Sequence, residues 1–401
     1  MDSDFRDGAA TLNLHSWSFL TNSRELTMPR IAVTAVRVVV LCVGLLAPVR
    51  SASAATPPDT ALTKEMLADG IYLFRAPSAL DLWTATNVVV IVNDQDVTVF
   101  DSNTRPRTAR MVIAEIRKIT PKPVRTLINS HWHQDHWSGN DEYVKAFPGL
   151  QIIATTETRD YMKRMGSKFF ADGLNASVVR SRAALDTAIR TGKQRDGSPL
   201  TADARRASEK DIAETAAFAA EVAAIPRVLP TMAYRDSLAF WSGRREFRLI
   251  SVTGDATGST VLYLPAERIL VMGDALVTQE EGNGPPPWTT NSYAITPWLN
   301  SLRGLERLDA GIVVPGQGPV FRDKAYLKLT GDLFESIISQ VHAALERGVV
   351  SLAEVQGIVN VDAIGRQYSP NASVPDPRFR TLVSALVRKV HQESLDGVSK
   401  P

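Results

Sequence analysis

The sequence predicts a mixed α/β protein of the α+β kind, with two groups of short strands flanked by helices. Two observations carry this. Between Val97 and Ile128, a β-branched run, a helix-spaced run and a second β-branched run follow one another, the order of a strand, helix, strand unit. From Leu238 to Met272 four more strand-like runs come in two pairs, separated from the first group by a long Ala-rich, charged stretch.

In chain order, Ile71 to Phe74, Val88 to Val92 and Val97 to Phe100 are strand-like, and Asn93-Asp94-Gln95-Asp96 joins the last two as a hairpin turn. Thr108 to Ile119 has helical spacing at Met111, Val112, Ile116 and Ile119, and Pro121 and Pro123 stop it before the strand Val124 to Ile128. Ser138, Gly139 and Asn140 offer caps and a turn ahead of a helix over Asp141 to Phe147. Leu150 to Ala154 is the next strand, and Glu157 to Met165 a helix.

Residues 164–235 are read as a helical insertion, because Gly192, Gly197-Ser198-Pro199, Pro226 and Pro230 break its Ala-rich helical stretches. A lid, a dimer contact and a solvated appendage are its open roles. Beyond it, Leu238 to Trp241 and Phe247 to Val252 flank Gly243, and Val261 to Leu264 pairs with Ile269 to Met272. A Gly/Pro loop, Gln279 to Pro297, leads to a helix over Trp298 to Leu308 and a short strand, Ile312 to Val314, that ends at Gln317. Residues 327–401 read as a helical C-terminal tail, with helices over Lys324 to Gly348 and Pro377 to Ser394.

The 401 residues are 44% hydrophobic and 22% charged, the make-up of a globular chain with room for one large domain or two small ones. Its 45 basic and 43 acidic residues are interspersed, so charge gives no case for nucleic acid or an anionic membrane as partner. Residues 1–54 read as an N-terminal extension and signal peptide: Met28-Pro29-Arg30 opens a basic start, Val38 to Leu46 is apolar, and Ala52-Ser53-Ala54 suits cleavage. This implies an exported protein, periplasmic or secreted, with no stable membrane insertion after cleavage and a true start at Met1 or Met28. Cys42, the single cysteine, lies inside the apolar run, so the mature chain would bind metal through His and carboxylate alone.

Three of the six histidines fall between Asn129 and Asn140, which reads Asn-Ser-His-Trp-His-Gln-Asp-His-Trp-Ser-Gly-Asn, while His15, His342 and His391 are isolated. His131 and His133 point to one side of an extended chain, and the following turn brings Asp135 and His136 to a neighbouring point. Imidazoles and a carboxylate gathered at a strand end are the chemistry of a metal site.

His-x-His-x-Asp-His after an apolar strand resembles the signature of the metallo-β-lactamase fold, and Gly254 to Ser259, Tyr263-Leu264-Pro265, Gly273-Asp274 and Pro315-Gly316-Gln317-Gly318-Pro319 follow in that family's order. The resemblance spans roughly Asp69 to Tyr326, and it implies a four-layer αββα sandwich over residues 55–326 that holds one or two zinc ions, or iron. It further implies that His131 and His133 serve one metal with position 255, Asp135 and His136 a second with position 317, and that Asp274 joins them. Two positions depart from the pattern: Asp255 and Gln317 stand where the family usually has histidines. A carboxylate can replace a His ligand, whereas a Gln amide is a poor neutral donor for zinc. Each also has a plainer reading, Asp255 and Gln317 as turn residues and Asp274 as a helix cap.

The expected function is metal-dependent hydrolysis of a small carbonyl-type substrate, an ester, lactone or β-lactam-like amide, by water that the ion acidifies and Asp135 orients. The fold does not fix the substrate. Two other readings stay open: mononuclear non-haem iron oxygenase, since two His and one carboxylate also make the facial triad, and a degenerate periplasmic binding or accessory protein. Trp83, Trp288 and Trp298 are candidates for an apolar rim around the metal or for core. Oligomeric state is not legible.

Overall fold

The structure is a computed structural model that describes residues 61–76, 86–279, 285–286, 294–368 and 377–397, all within one compact unit, Pro57–Pro401. The expected signal peptide, Cys42, Trp83 and Trp288 lie outside the described residues.

The first sheet takes β1 (Thr63–Ala68), β2 (Ile71–Arg75), β3 (Asn87–Val92), β4 (Val97–Phe100), β5 (Val124–Ile128), β6 (Gln151–Thr155) and β7 (Met232–Tyr234) side by side in chain order. Pairing is antiparallel from β1 to β4 and parallel from β4 to β7. The second takes β8 (Ser237–Ser242), β9 (Arg245–Val252), β10 (Ser259–Leu264), β11 (Ile269–Val271) and β12 (Ile312–Val314), antiparallel except for the parallel β11 and β12 pair.

The continuous apolar runs follow from burial on both faces. Along β3, Val89 and Ile91 face the second sheet with Phe247, Leu249, Leu262 and Val271, while Val88 and Val90 face α1 (Pro106–Ile119) through Val112 and Ile116. Helix α1 begins with Pro106 in its first turn, where a missing N–H costs nothing, and ends with Arg117 and Lys118 against its dipole. Helices α2 (Gln134–Trp137) and α3 (Asn140–Ala146) follow β5. The result is helix, sheet, sheet, helix: the expected αββα sandwich.

Three segments differ from the sequence reading. β1 escaped it, because four of its six residues are exposed and no apolar alternation shows. The helix expected over 157–165 is the start of α4 (Thr156–Thr191), which pairs with α5 (Ala202–Ala223) around Leu174, Phe218 and Val222. Within the stretch read as insertion, β7 belongs to the first sheet, paired with β6.

Helix α6 (Ile295–Glu306), α7 (Ala325–Glu346), α8 (Leu352–Ile358), α9 (Asp362–Tyr368) and α10 (Pro377–Leu395) follow. Of these, α6, α7 and α10 cover the outer face of the second sheet: Trp298, Phe334, Ile337 and Leu386 share one core with Val261 and Leu270. The segment read as a tail thus supplies part of the fourth layer. Trp298 is fully buried there, not at a rim. No helix of the described residues is long and apolar enough to cross a membrane.

Candidate metal centre

Five loops that follow the C-terminal ends of β4, β5, β9, β11 and β12 converge at one edge of the sandwich. Parallel pairing of β4 with β5 and of β11 with β12 places those ends together within each sheet. Two backbone hydrogen bonds tie the sheets there: Thr260 N–H donates to Ser130 O (2.6 Å) and Asn87 N–H to Gly316 O (2.8 Å).

Strand β5 delivers His131, and the short α2 turns Asp135 and His136 back toward it. His131 and His136 are fully buried. Asp274 sits in a one-turn 3-10 segment, Gly273–Ala275, after β11. Asp255 lies in the loop between β9 and β10, its N–H donating to Asp274 O at 3.3 Å. Gln317 occupies the turn after β12. All seven sequence candidates therefore stand together. His133 Nδ1 is 3.3 Å from Asp255 Oδ2, His136 Nε2 is 3.0 Å from Asp135 Oδ2 and 3.3 Å from Asp274 Oδ1, and His131 Nε2 is 4.0 Å from Asp274 Oδ2.

The donors fall into two sets that share Asp274: His131, His133, Asp255 and Asp274, and Asp135, His136 and Asp274, each with its ligating atoms within 4.8 Å of one another. Tetrahedral donors about 2 Å from an ion are themselves about 3.4 Å apart, so modest closure suffices. His131 Nε2, His136 Nε2 and Asp274 Oδ1 are buried yet make no hydrogen bond. Orphaned buried polar atoms are costly and uncommon. Imidazole nitrogens and a carboxylate oxygen aimed at common points fit a divalent cation.

A second layer of residues, absent from the sequence reading, fixes these donors. Asp101 Oδ2 takes His136 Nδ1 at 2.7 Å while Oδ1 accepts from Ser130 N–H at 2.7 Å. Ser130 Oγ lies 3.0 Å from His131 Nδ1, and Thr86 Oγ1 donates to Asp135 Oδ2 at 3.0 Å. Asp101 and Asn103 have φ of 63° and 67°, a left-handed turn that Asp and Asn tolerate better than most side chains. That turn after β4 aims the carboxylate sideways at β5. Outside it, Trp132 stacks on Tyr161 of α4 with ring centroids 5.3 Å apart, and the Arg164 guanidinium lies 4.5 Å from the Tyr161 ring centre.

Charge is shared unevenly. Burial opposes a proton on His136, but Asp135, Asp274 and Asp101 outweigh it and hold its pKa well above the usual imidazole value. Burial, with His136 and His133 beside it, holds His131 well below, hence neutral, the state a ligand needs. Burial lifts Asp274 to about 6. Asp135 is buried too, yet His136 keeps it well below the usual carboxylate range.

The sequence profile of the metallo-beta-lactamase superfamily matches residues 81–317, more than half of the chain. A linear primary-alkylsulfatase of Pseudomonas sp. (strain ATCC 19151) is 28% identical over 251 residues, 60% of this chain and 44% of that protein, so the match spans under half of that relative's length. Among solved structures, a metallo-beta-lactamase from Pontibacter korlensis (14% identity, TM-score 0.46) covers 69% of this chain and 99% of its own. The DIM-1 metallo-beta-lactamase (19% identity, TM-score 0.45) covers 68% of this chain and 97% of its own. With the profile running from the first sheet to Gln317, the chain belongs to the metallo-beta-lactamase superfamily.

Proposed function

We propose that the chain is a metal-dependent hydrolase of small carbonyl-type substrates, an ester, lactone or β-lactam-like amide, with zinc in the centre. The observation that carries this is the pair of donor sets sharing Asp274, with orphaned nitrogens and a carboxylate oxygen turned into them. An ion held there supplies Lewis acidity toward a carbonyl oxygen and acidifies water. The set with two imidazoles suits zinc, through His131 Nε2 and His133.

The chain's own residues supply the rest. Thr86, Gln317 and His136 all face Oδ2 of Asp135, which leaves Oδ1 to accept a hydrogen bond from water and orient it. Asp135 is fit for that task because its neighbours keep it ionised, and an ionised carboxylate accepts hydrogen bonds only. His133 and Asp255 are the partly open members, with side chains 25% and 16% exposed, so substrate approaches from their side.

A second reading within hydrolysis is a sulfate ester, favoured by the alkylsulfatase relative. The purified protein, assayed on chromogenic esters, lactones and β-lactams beside a linear alkyl sulfate, decides. Turnover of a carbonyl substrate that a chelator abolishes and zinc restores supports the proposal. Turnover of the alkyl sulfate alone replaces the substrate class, and no chelator-sensitive turnover rejects hydrolysis. Stoichiometric iron with oxygen consumption assigns the iron oxygenase instead. We also infer export, from the basic, apolar and small-residue order of residues 28–54. A mature N-terminus near Ala54 or Ala55 is the expected mass-spectrometric result, and one upstream of Arg50 rejects it.

A further inference from the structure

The side-chain amide of Gln317 stands between two of the carboxylates. Its Nε2 donates to Asp135 Oδ2 and to Asp274 Oδ2, both at 3.2 Å, so each amide hydrogen serves one carboxylate. Both residues belong to the donor set that has a single imidazole; Asp274 also belongs to the other set, its Oδ2 lying 4.0 Å from His131 Nε2, so the bond to Asp135 is the one that bears on the second set alone. An imidazole at this position would present a lone pair to an ion. The amide presents hydrogens, which an ion repels.

The rest of the turn holds the backbone that carries the amide. Asn87 Nδ2 donates to Pro315 O (2.7 Å) and Gly318 O (2.8 Å), and Thr278 N–H donates to Gln317 O (3.2 Å). Thr86 and Gln317 form an isolated antiparallel bridge. Gly316 packs its bare α-carbon against Asp274, where any side chain would collide with the carboxylate. The backbone of Gln317 is therefore fixed on both sides of its α-carbon, which sets its side chain beside Asp135 and Asp274.

We propose that Gln317 is a latch on the second half of the centre: its amide binds Asp135 and Asp274 to each other through hydrogen bonds that a second ion has to break, so the two halves fill in order. The set of His131, His133, Asp255 and Asp274 fills first. This rests on the reading of the cluster as a metal centre and adds what regulates its occupancy. Gln317 is a positioning residue in this account, acting through the two carboxylates.

Stepwise titration of the metal-stripped protein with zinc by calorimetry, repeated with cobalt and its absorption bands, tests the latch. The first ion is expected to bind tightly and the second about 10- to 100-fold more weakly, the range over which supporting hydrogen bonds act on metal affinity. Gln317→Ala frees both carboxylates and is expected to tighten the second step more than the first. Gln317→His adds a ligand and is expected to bring the two steps within a few-fold of each other. Two equal steps in the unaltered protein overturn the latch, as does a second step that Gln317→Ala leaves unchanged. A second step weakened by Gln317→Ala also overturns it, since the amide oxygen would then be a ligand. Absence of any tight ion overturns the metal centre itself, and the latch with it. Circular dichroism of each variant confirms that it is folded before titration.

Discussion

Asp101 Oδ2 lies 2.7 Å from Nδ1 of the fully buried His136, and its other oxygen accepts the N–H of Ser130. That one carboxylate thus fixes both the imidazole and the strand end that carries His131. With Nδ1–H donated to Asp101, Nε2 of His136 faces the centre, and loss of its proton to an arriving ion would leave the tautomer that ligation requires.

Asp101→Asn keeps the shape but not both acceptors. If the amide oxygen serves Ser130, the amide hydrogens face His136 and drive its proton to Nε2. Metal affinity in the set of Asp135, His136 and Asp274 is expected to fall about 10- to 100-fold. Zinc titration of the metal-stripped variant measures this; an unchanged affinity would show that Asp101 is only a turn residue.

Removing the metal is expected to lower stability, since a ligand bound only by the folded state adds about 2.7 kcal/mol when its concentration is a hundred times its dissociation constant. Thermal unfolding with zinc and with excess chelator should differ by several degrees. His131→Ala, which loses an orphaned ligand nitrogen, should abolish most of that difference. An equal zinc response in His131→Ala and unaltered protein would place the ion elsewhere.

How far the sequence reached depends on distance along the chain. His131, His133, Asp135 and His136 were legible because one strand and one turn carry all four, and histidines are scarce elsewhere. Asp255, Asp274 and Gln317 lie 119 or more positions beyond Asp135 or His136, on separate loops, and only the family's motif order pointed to them. Asp101 and Thr86 carry no such signal. A lone Asp after an apolar strand reads as a turn, and the left-handed φ that aims it is a property of the fold. An Asp-Ser-Asn run beside the strand that leads to His131 is the one available hint. The sequence predicts only the start of the long α4 as a helix of its own, because the composition changes near Arg164, although no proline interrupts 156–191.

Gly316 allows the close approach of the turn after β12 to Asp274. A β-carbon there would press on Asp274 Oδ1 and fall 2.6 Å from the Gly273 carbonyl carbon, a backbone atom that cannot swing aside. Gly316→Ala is expected to cost about 1–3 kcal/mol by overpacking and to weaken metal binding, because Asp274 moves. Gly304→Ala in α6, where the nearest neighbour is 4.0 Å away at the end of Arg307, is the uncrowded control and should gain up to about 1 kcal/mol from helix propensity. Equal melting temperatures for the two variants would contradict the packing argument.

The C-terminal helix is part of the fold, and one of its buried residues makes stability depend on pH. Glu393 on α10 accepts the N–H of Ile295 at 2.7 Å, capping α6, while its second oxygen is buried without a partner. Burial raises its pKa above the usual value, against the pull of the Ile295 and Thr296 N–H groups. A carboxyl whose folded pKa is raised adds stability that is fully present below its unfolded pKa and is lost as pH rises through the folded one. Glu393→Gln keeps an acceptor for Ile295 and carries no charge to bury. The variant is therefore expected to gain on the unaltered protein as pH climbs from about 4.3 toward neutrality, with the gap flat thereafter. Leu386→Ala on the same helix, fully buried, should instead cost about 2–5 kcal/mol at every pH. Melting temperatures of the three proteins between pH 4 and 8 separate the effects, and a Glu393→Gln gap that narrows with rising pH would show that the carboxylate is better served when ionised.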